Sequence, residues 1–283
     1  MIALMALRTL SPASKIIMGV FLLVLLGVML NYVFGMLELL YVMRFKKPFF
    51  VHFTILRRHL NKQEQQLLEQ QFPFYNKLLP KQQSIFRHRV KSLMIDKQFK
   101  GRHGLEVTAE MRVLIAATAA MLTFGFRNFY LGLLERIVIY PEAFFSKANQ
   151  TYHKGEFNPQ LKTLALSWED FKTGLAIDND NLNLGVHELA HAIHLNALKE
   201  KDANGVLFLD SFDGLTKLLQ SNTDLKDQLV QSEYFRDYAY TNQYEFLAVL
   251  VENFIETPEA FRQQFPEVYN YTKQMLNFNF AGY

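Results

Sequence analysis

The sequence predicts an α+β protein, mainly helical with a small sheet, behind one N-terminal membrane-crossing helix. Three observations predict it. From Ile16 to Met43 the only strongly polar side chains are Asn31 and Glu38. Beyond that run, several separate stretches carry the spacing or end signals of helices. Between them stand only two short segments with a strand signature.

The first element is the apolar run. Ile16–Leu37 alone is long enough for a membrane crossing, which needs about 20 residues. In lipid every backbone group must be bonded internally, so a single span must be a helix. A cleaved signal peptide has an apolar region of about 7–15 residues and a small-residue cleavage site. This run is longer and leads into Leu39-Leu40-Tyr41-Val42-Met43-Arg44-Phe45-Lys46-Lys47, with no such site. It is read as a retained anchor, residues 1–44, followed by a soluble body, residues 45–283. Arg8 and Lys15 precede the span, and Arg44, Lys46, Lys47, Arg57 and Arg58 follow it. The richer side belongs in the cytoplasm, which places the body there.

In the body, Asn61–Gln71 reads as a short Gln/Glu-rich helix, and Pro80–Asp96 as a helix with Ile85, Val90, Leu93 and Met94 on one stripe. Gly101–Gly104 reads as a turn. Thr108 is an N-cap candidate, with Glu110 in the first turn of Met111–Phe124. That stretch is apolar nearly all round yet too short to span a bilayer, so it is expected to be a core helix. Arg136–Tyr140 is β-branched and ends at Pro141; Lys162–Ser167 is the second strand. Asn181–Leu198 and Thr241–Glu256 are the remaining helices, the latter with Thr241 as its cap and Thr257-Pro258 as its stop.

Composition excludes several classes. Half of the 283 residues are hydrophobic and a fifth are charged, which rules out a disordered or collagen-like chain. The absence of cysteine excludes disulfide scaffolds, iron–sulfur sites and a cysteine nucleophile. A net charge of +3, from 30 basic and 27 acidic residues, gives no electrostatic case for nucleic acid, and none is expected as a partner.

The chemistry is carried by His187-Glu188-Leu189-Ala190-His191, an H-E-x-x-H motif inside an apolar helix. His187 and His191 stand one turn apart on one face and can reach one metal ion, while Glu188 is offset by about 100° and can hold a water beside it. Zinc requires a third protein ligand and an open fourth position. The longer pattern with a third histidine fails, because Ala197 stands at that position. His194 lies on the same face, but a straight helix cannot wrap three such ligands around one ion, so it is read as supporting or structural. The third ligand is then a downstream Glu. Glu245 stands out because it sits in an apolar helix, where an unpaired carboxylate is costly. Glu252, seven residues on, is the alternative ligand or a partner that orients a ligating histidine. Near such a metal a Tyr hydroxyl can stabilise an oxyanion, and Tyr238, Tyr240 and Tyr244 are all candidates.

Several blocks in order resemble the Mlc titration factor A family of bacterial zinc metallopeptidases. They are Gly104-Leu105-Glu106-Val107-Thr108-x-Glu110-Met111-Arg112, Tyr140-Pro141-x-Ala143-Phe144, Leu166-Ser167-Trp168-Glu169-Asp170, the His187–His191 motif, Tyr238-Ala239-x-Thr241-x-x-x-Glu245-Phe246 and Phe265-Pro266-x-Val268-Tyr269. The resemblance spans about Leu67 to Phe280. It implies a zincin-like fold of the gluzincin kind, with one zinc per chain on His187, His191 and Glu245. It also implies Glu188 as general base, Tyr238 as a transition-state aid, and aminopeptidase-like cleavage of a peptide or protein substrate. His194 stands where the family usually has Asp. The founding member binds a transcription repressor and lacks the N-terminal span. The other expectation is therefore a membrane-tethered protein that sequesters a regulator, with weak or vestigial peptidase activity.

Overall fold

The computed structural model describes residues 11–54, 56–146, 150–177 and 179–283. Arg8, counted above among the basic residues before the span, lies outside them. The chain divides into two compact units, Met1–Phe49 and Phe50–Tyr283.

The first unit holds helix α1, Pro12–Phe45. Ser11 caps it, its side chain accepting from the Ser14 N–H, and Pro12 opens the first turn. Lys46 ends it in the left-handed conformation and returns its N–H to the Val42 carbonyl. The helix is long and apolar enough to cross a membrane, and its most apolar stretch has no buried residue.

The second unit is mainly helical. Helices α2 (Lys62–Gln71), α3 (Pro73–Asn76) and α4 (Pro80–Asp96) precede a four-stranded mixed sheet, and α5 (Ala109–Leu122) follows its first strand. Its strands are β1 (Gln98–Gly101), β2 (Arg136–Tyr140), β5 (Gly155–Asn158) and β6 (Thr163–Ser167), in the order β1-β2-β6-β5. The first three run parallel, with Ile137 opposite Leu164, and β5 is antiparallel at the edge, with Gly155 opposite Leu166. Strands β3 (Phe144–Ser146) and β4 (Thr151–His153) form a separate hairpin. The chain then continues through α6 (Trp168–Ala176), α7 (Leu184–Lys199), α8 (Ala203–Ser221), α9 (Thr223–Gln231), a 3-10 turn at Asp237–Tyr240, α10 (Gln243–Glu256), α11 (Pro258–Gln264) and α12 (Pro266–Met275).

Local chemistry corrects some sequence-derived boundaries. Helix α7 starts at Leu184, not Asn181, because the Asn183 side chain accepts from the Val186 N–H and Asn181 has a left-handed backbone. Helix α10 is capped by Asn242 rather than Thr241. The Asn242 oxygen accepts from both Tyr244 and Glu245 N–H groups, and Thr241 belongs to the preceding turn. Gly101 pairs in β1, so the turn narrows to His103-Gly104, where both residues have positive φ. Strands β1, β3, β4 and β5 have only three or four residues each, too few to stand out in the sequence.

Helix α5 lies in the core as its all-round apolar sequence demands, with Val113, Ile115, Ala117 and Ala120 fully buried. Its C-terminal carbonyls, Thr123 and Phe124, accept from the buried Arg89 guanidinium. Helix α7 packs against α5, α6, α8, α10 and the strands β5 and β6. Gly185 lets α6 come close: a Cβ there would sit 2.4 Å from the Phe171 ring. The motif helix is thus held on several sides by apolar contact.

Candidate metal centre

The Asn183 cap fixes the start of α7, and the helical repeat then puts His187 and His191 on one face. The Asn242 cap fixes the start of α10 and puts Glu245 in its first turn. Because α7 and α10 pack together, three donor atoms converge. His187 Nε2 lies 3.0 Å from Glu245 Oε2 and 3.2 Å from His191 Nε2, which is 3.5 Å from the same oxygen. Among the described residues these three side chains form a group able to hold a metal ion.

Behind them stands a second carboxylate. Glu252 Oε1 lies 2.5 Å from His187 Nδ1, on the far side of the ring from the cluster. Glu252 is 1 % exposed and fully engaged. It accepts from Arg236 Nη1 and Nη2 at 2.8 and 2.7 Å and from the Asn183 N–H at 3.1 Å. Arg236 also donates to the Asn181 carbonyl at 2.5 Å. A carboxylate on Nδ1 keeps the ring hydrogen there and leaves the Nε2 lone pair facing the cluster.

The electrostatics call for a cation. Burial pulls the His187 pKa down, but the Glu245 and Glu252 carboxylates overcome it and hold it at about 9. Burial raises Glu245, yet His187 and His191 bring it well below the usual carboxylate range. Glu245 Oε2 is buried without an aligned hydrogen bond. Two imidazole nitrogens and such an oxygen, all within 3.5 Å, fit a borderline divalent ion bound in place of protons.

Glu188 lies beside this group and is 8 % exposed. Burial, the largest influence, raises its carboxyl pKa, and the Phe157 N–H of β5 bonds to it. Gly155, on the same edge strand, makes room: a Cβ there would meet Glu188 Cγ at 2.6 Å and Oε1 at 2.8 Å. Its φ is not positive, so the close approach and not the backbone angle requires glycine.

Tyr238 is half exposed, with its ring centroid 6.0 Å from that of His187. Burial and the Glu245 carboxylate push its hydroxyl up to about 12, so it stays protonated and able to donate. Tyr240 instead donates to the Leu229 carbonyl. Tyr244 packs its ring 5.3 Å from His194. His194 sits among Phe208, Phe212 and Tyr244, away from the three donors, and burial brings its pKa down to about 4.

Residues 46–276 match the sequence profile of the glucose-regulated metallo-peptidase M90 family. The chain belongs to that family. M90 membership makes this a metallopeptidase-type protein, with His187, His191 and Glu245 as its possible metal site. The chain is also similar to the uncharacterized protein slr2042 of Synechocystis sp., at 25% identity over 240 residues, covering 76% of this chain and 83% of that one.

Sequence reasoning missed Arg236, Gly155 and the capping role of Asn242. An arginine between Phe235 and Asp237 carries no local pattern. The glycine reveals itself only once β5 is laid against α7.

Proposed function

We propose that this M90 protein is a zinc-dependent peptidase, anchored in the bacterial cytoplasmic membrane by α1, with its body in the cytoplasm. The observation that carries the peptidase reading is the convergence of His187, His191 and Glu245 beside a buried Glu188 that is not one of the three donors. Zinc held by the three would polarise a peptide carbonyl and lower the pKa of a water to about 7.

The protein's own groups do the rest. Glu188, its proton affinity raised by burial, takes the proton from the attacking water at its carboxylate oxygen. It then delivers that proton to the nitrogen of the departing amine. The Phe157 N–H and the space left by Gly155 fix where that carboxylate points. Tyr238, protonated and half exposed, donates to the oxygen that gains charge as the carbonyl is attacked. Glu252 and Arg236 orient His187.

A binding module that only sequesters a regulator needs three donors but has no use for Glu188, and this favours the enzyme. Arg44, Lys46 and Lys47 at the end of α1 support the cytoplasmic orientation.

Glu188→Gln tests the reading. Metal content should stay at one zinc per chain, the fold should persist, and peptide hydrolysis should fall by a factor on the order of 10²–10⁴. Equal hydrolysis by wild type and variant overturns the assignment of the base.

A further inference from the structure

A second concave site is lined by none of the three metal donors. Helices α8 and α9, the 3-10 turn and the first turn of α10 line a cavity of about 570 Å³. That volume falls within the range of small-molecule pockets, about 300–1,000 Å³. Its floor is apolar: Phe212, Leu215, Leu229 and Ala239 are buried, and Phe246 is partly so. Its exposed rim combines the polar Gln220, Thr223, Lys226, Asn242 and Gln243 with Val230 and Tyr240. The lining carries one charge, that of Lys226, and no carboxylate. No side-chain ion pair engages Lys226 among the described residues.

An apolar floor with one cation at the rim selects a ligand with an apolar body and one negative end. A peptide side chain that is apolar throughout would leave Lys226 unused, and a dianion would find a single positive partner. We propose that this cavity binds an aliphatic monocarboxylate, its chain on the Phe212–Leu215–Leu229 floor and its carboxylate at Lys226. The cavity uses none of His187, Glu188, His191 and Glu245, so the proposal stands independently of the peptidase reading.

The test uses the full chain in lipid nanodiscs, with sodium octanoate and the neutral octanamide as probes. Each is followed by isothermal titration against empty nanodiscs. Octanoate should saturate one site per chain. Val230→Trp fills the rim at an exposed position, so folding is spared, and it should abolish that binding. Lys226→Met should weaken octanoate by roughly 1.4-fold to fivefold, the range of an exposed ion pair, and leave octanamide unchanged. No saturable octanoate binding, or binding unaffected by Val230→Trp, overturns the site. Equal loss of both probes in Lys226→Met overturns the role of the charge and with it the choice of ligand.

Discussion

Glu252→Gln isolates what the carboxylate behind His187 contributes to metal binding. In the protein, Glu252 accepts from Arg236 twice, from the Asn183 N–H once, and meets His187 Nδ1 at 2.5 Å. Glutamine keeps the volume and one acceptor oxygen but loses the negative charge. His187 then becomes a weaker base, and Arg236 loses one of its two carboxylate contacts. Removing such a partner costs about 10–100-fold in metal affinity, equivalent to roughly 1.4–2.7 kcal/mol. Stability should also fall, because the Arg236 guanidinium is left facing an uncharged buried group. Full truncation, Glu252→Ala, should cost about 3 kcal/mol, the lower end for a broken buried pair, since the Arg236 side chain is 27% exposed and water can reach it. The assay is competition for zinc with a coloured chelator, run beside thermal melts of the same samples. Glu252→Gln should retain one zinc per chain at reduced affinity, whereas Glu245→Ala should lose tight binding. Unchanged affinity in Glu252→Gln refutes the orienting role. Complete loss of metal in Glu252→Gln with retention in Glu245→Ala would exchange the two residues' roles.

Three further outcomes follow from the geometry. Gly155→Ala places a Cβ 2.6 Å from Glu188 Cγ, so kcat should drop at least tenfold while zinc content and KM hold; full activity would show that Glu188 is not constrained there. Burial, with the Asp180 charge, raises Glu256 to about 7 against 4.5 in an unfolded chain. The folded state therefore holds the extra proton, and stability should fall as pH rises from about 4.5 to about 7. The span should be about 1–2 kcal/mol after discounting for the water that reaches this carboxyl, and Glu256→Gln should flatten the slope in pH-resolved melts. Finally, the full chain should stay with membranes through a carbonate wash and be released by deletion of residues 1–44; a full-length chain in the soluble fraction would refute the anchor.

The sequence revealed those parts of the molecule that one helix or one cap determines. His187, Glu188 and His191 are spaced by the helical repeat, and Thr108 caps its helix through a bond spanning three residues. Glu245 was legible for a different reason: a carboxylate in an apolar helix demands a partner. The strands at the sheet edge were not legible, because β5 gains its meaning from register against β6 and from contact with Glu188. Arg236 was hidden for the same reason. Its partners, Glu252 and Asn181, are 16 and 55 residues away, and nothing local marks the pairing.

One buried carboxylate ties the site's parts together. Glu252 receives the Asn183 backbone N–H at the start of α7, the Arg236 guanidinium from the loop before the 3-10 turn, and the ring of His187. The cap that starts the motif helix, the loop that leads to Tyr238, and the orientation of one metal donor therefore depend on a single side chain on α10. Glu245 is carried by the same helix, seven residues earlier, so a shift of α10 moves a donor and the support of another together. Donor spacing is thus set by the packing of α10 on α7, and apolar contacts such as Leu189, Ala248 and Val249, all fully buried, hold that spacing while the polar groups provide the chemistry.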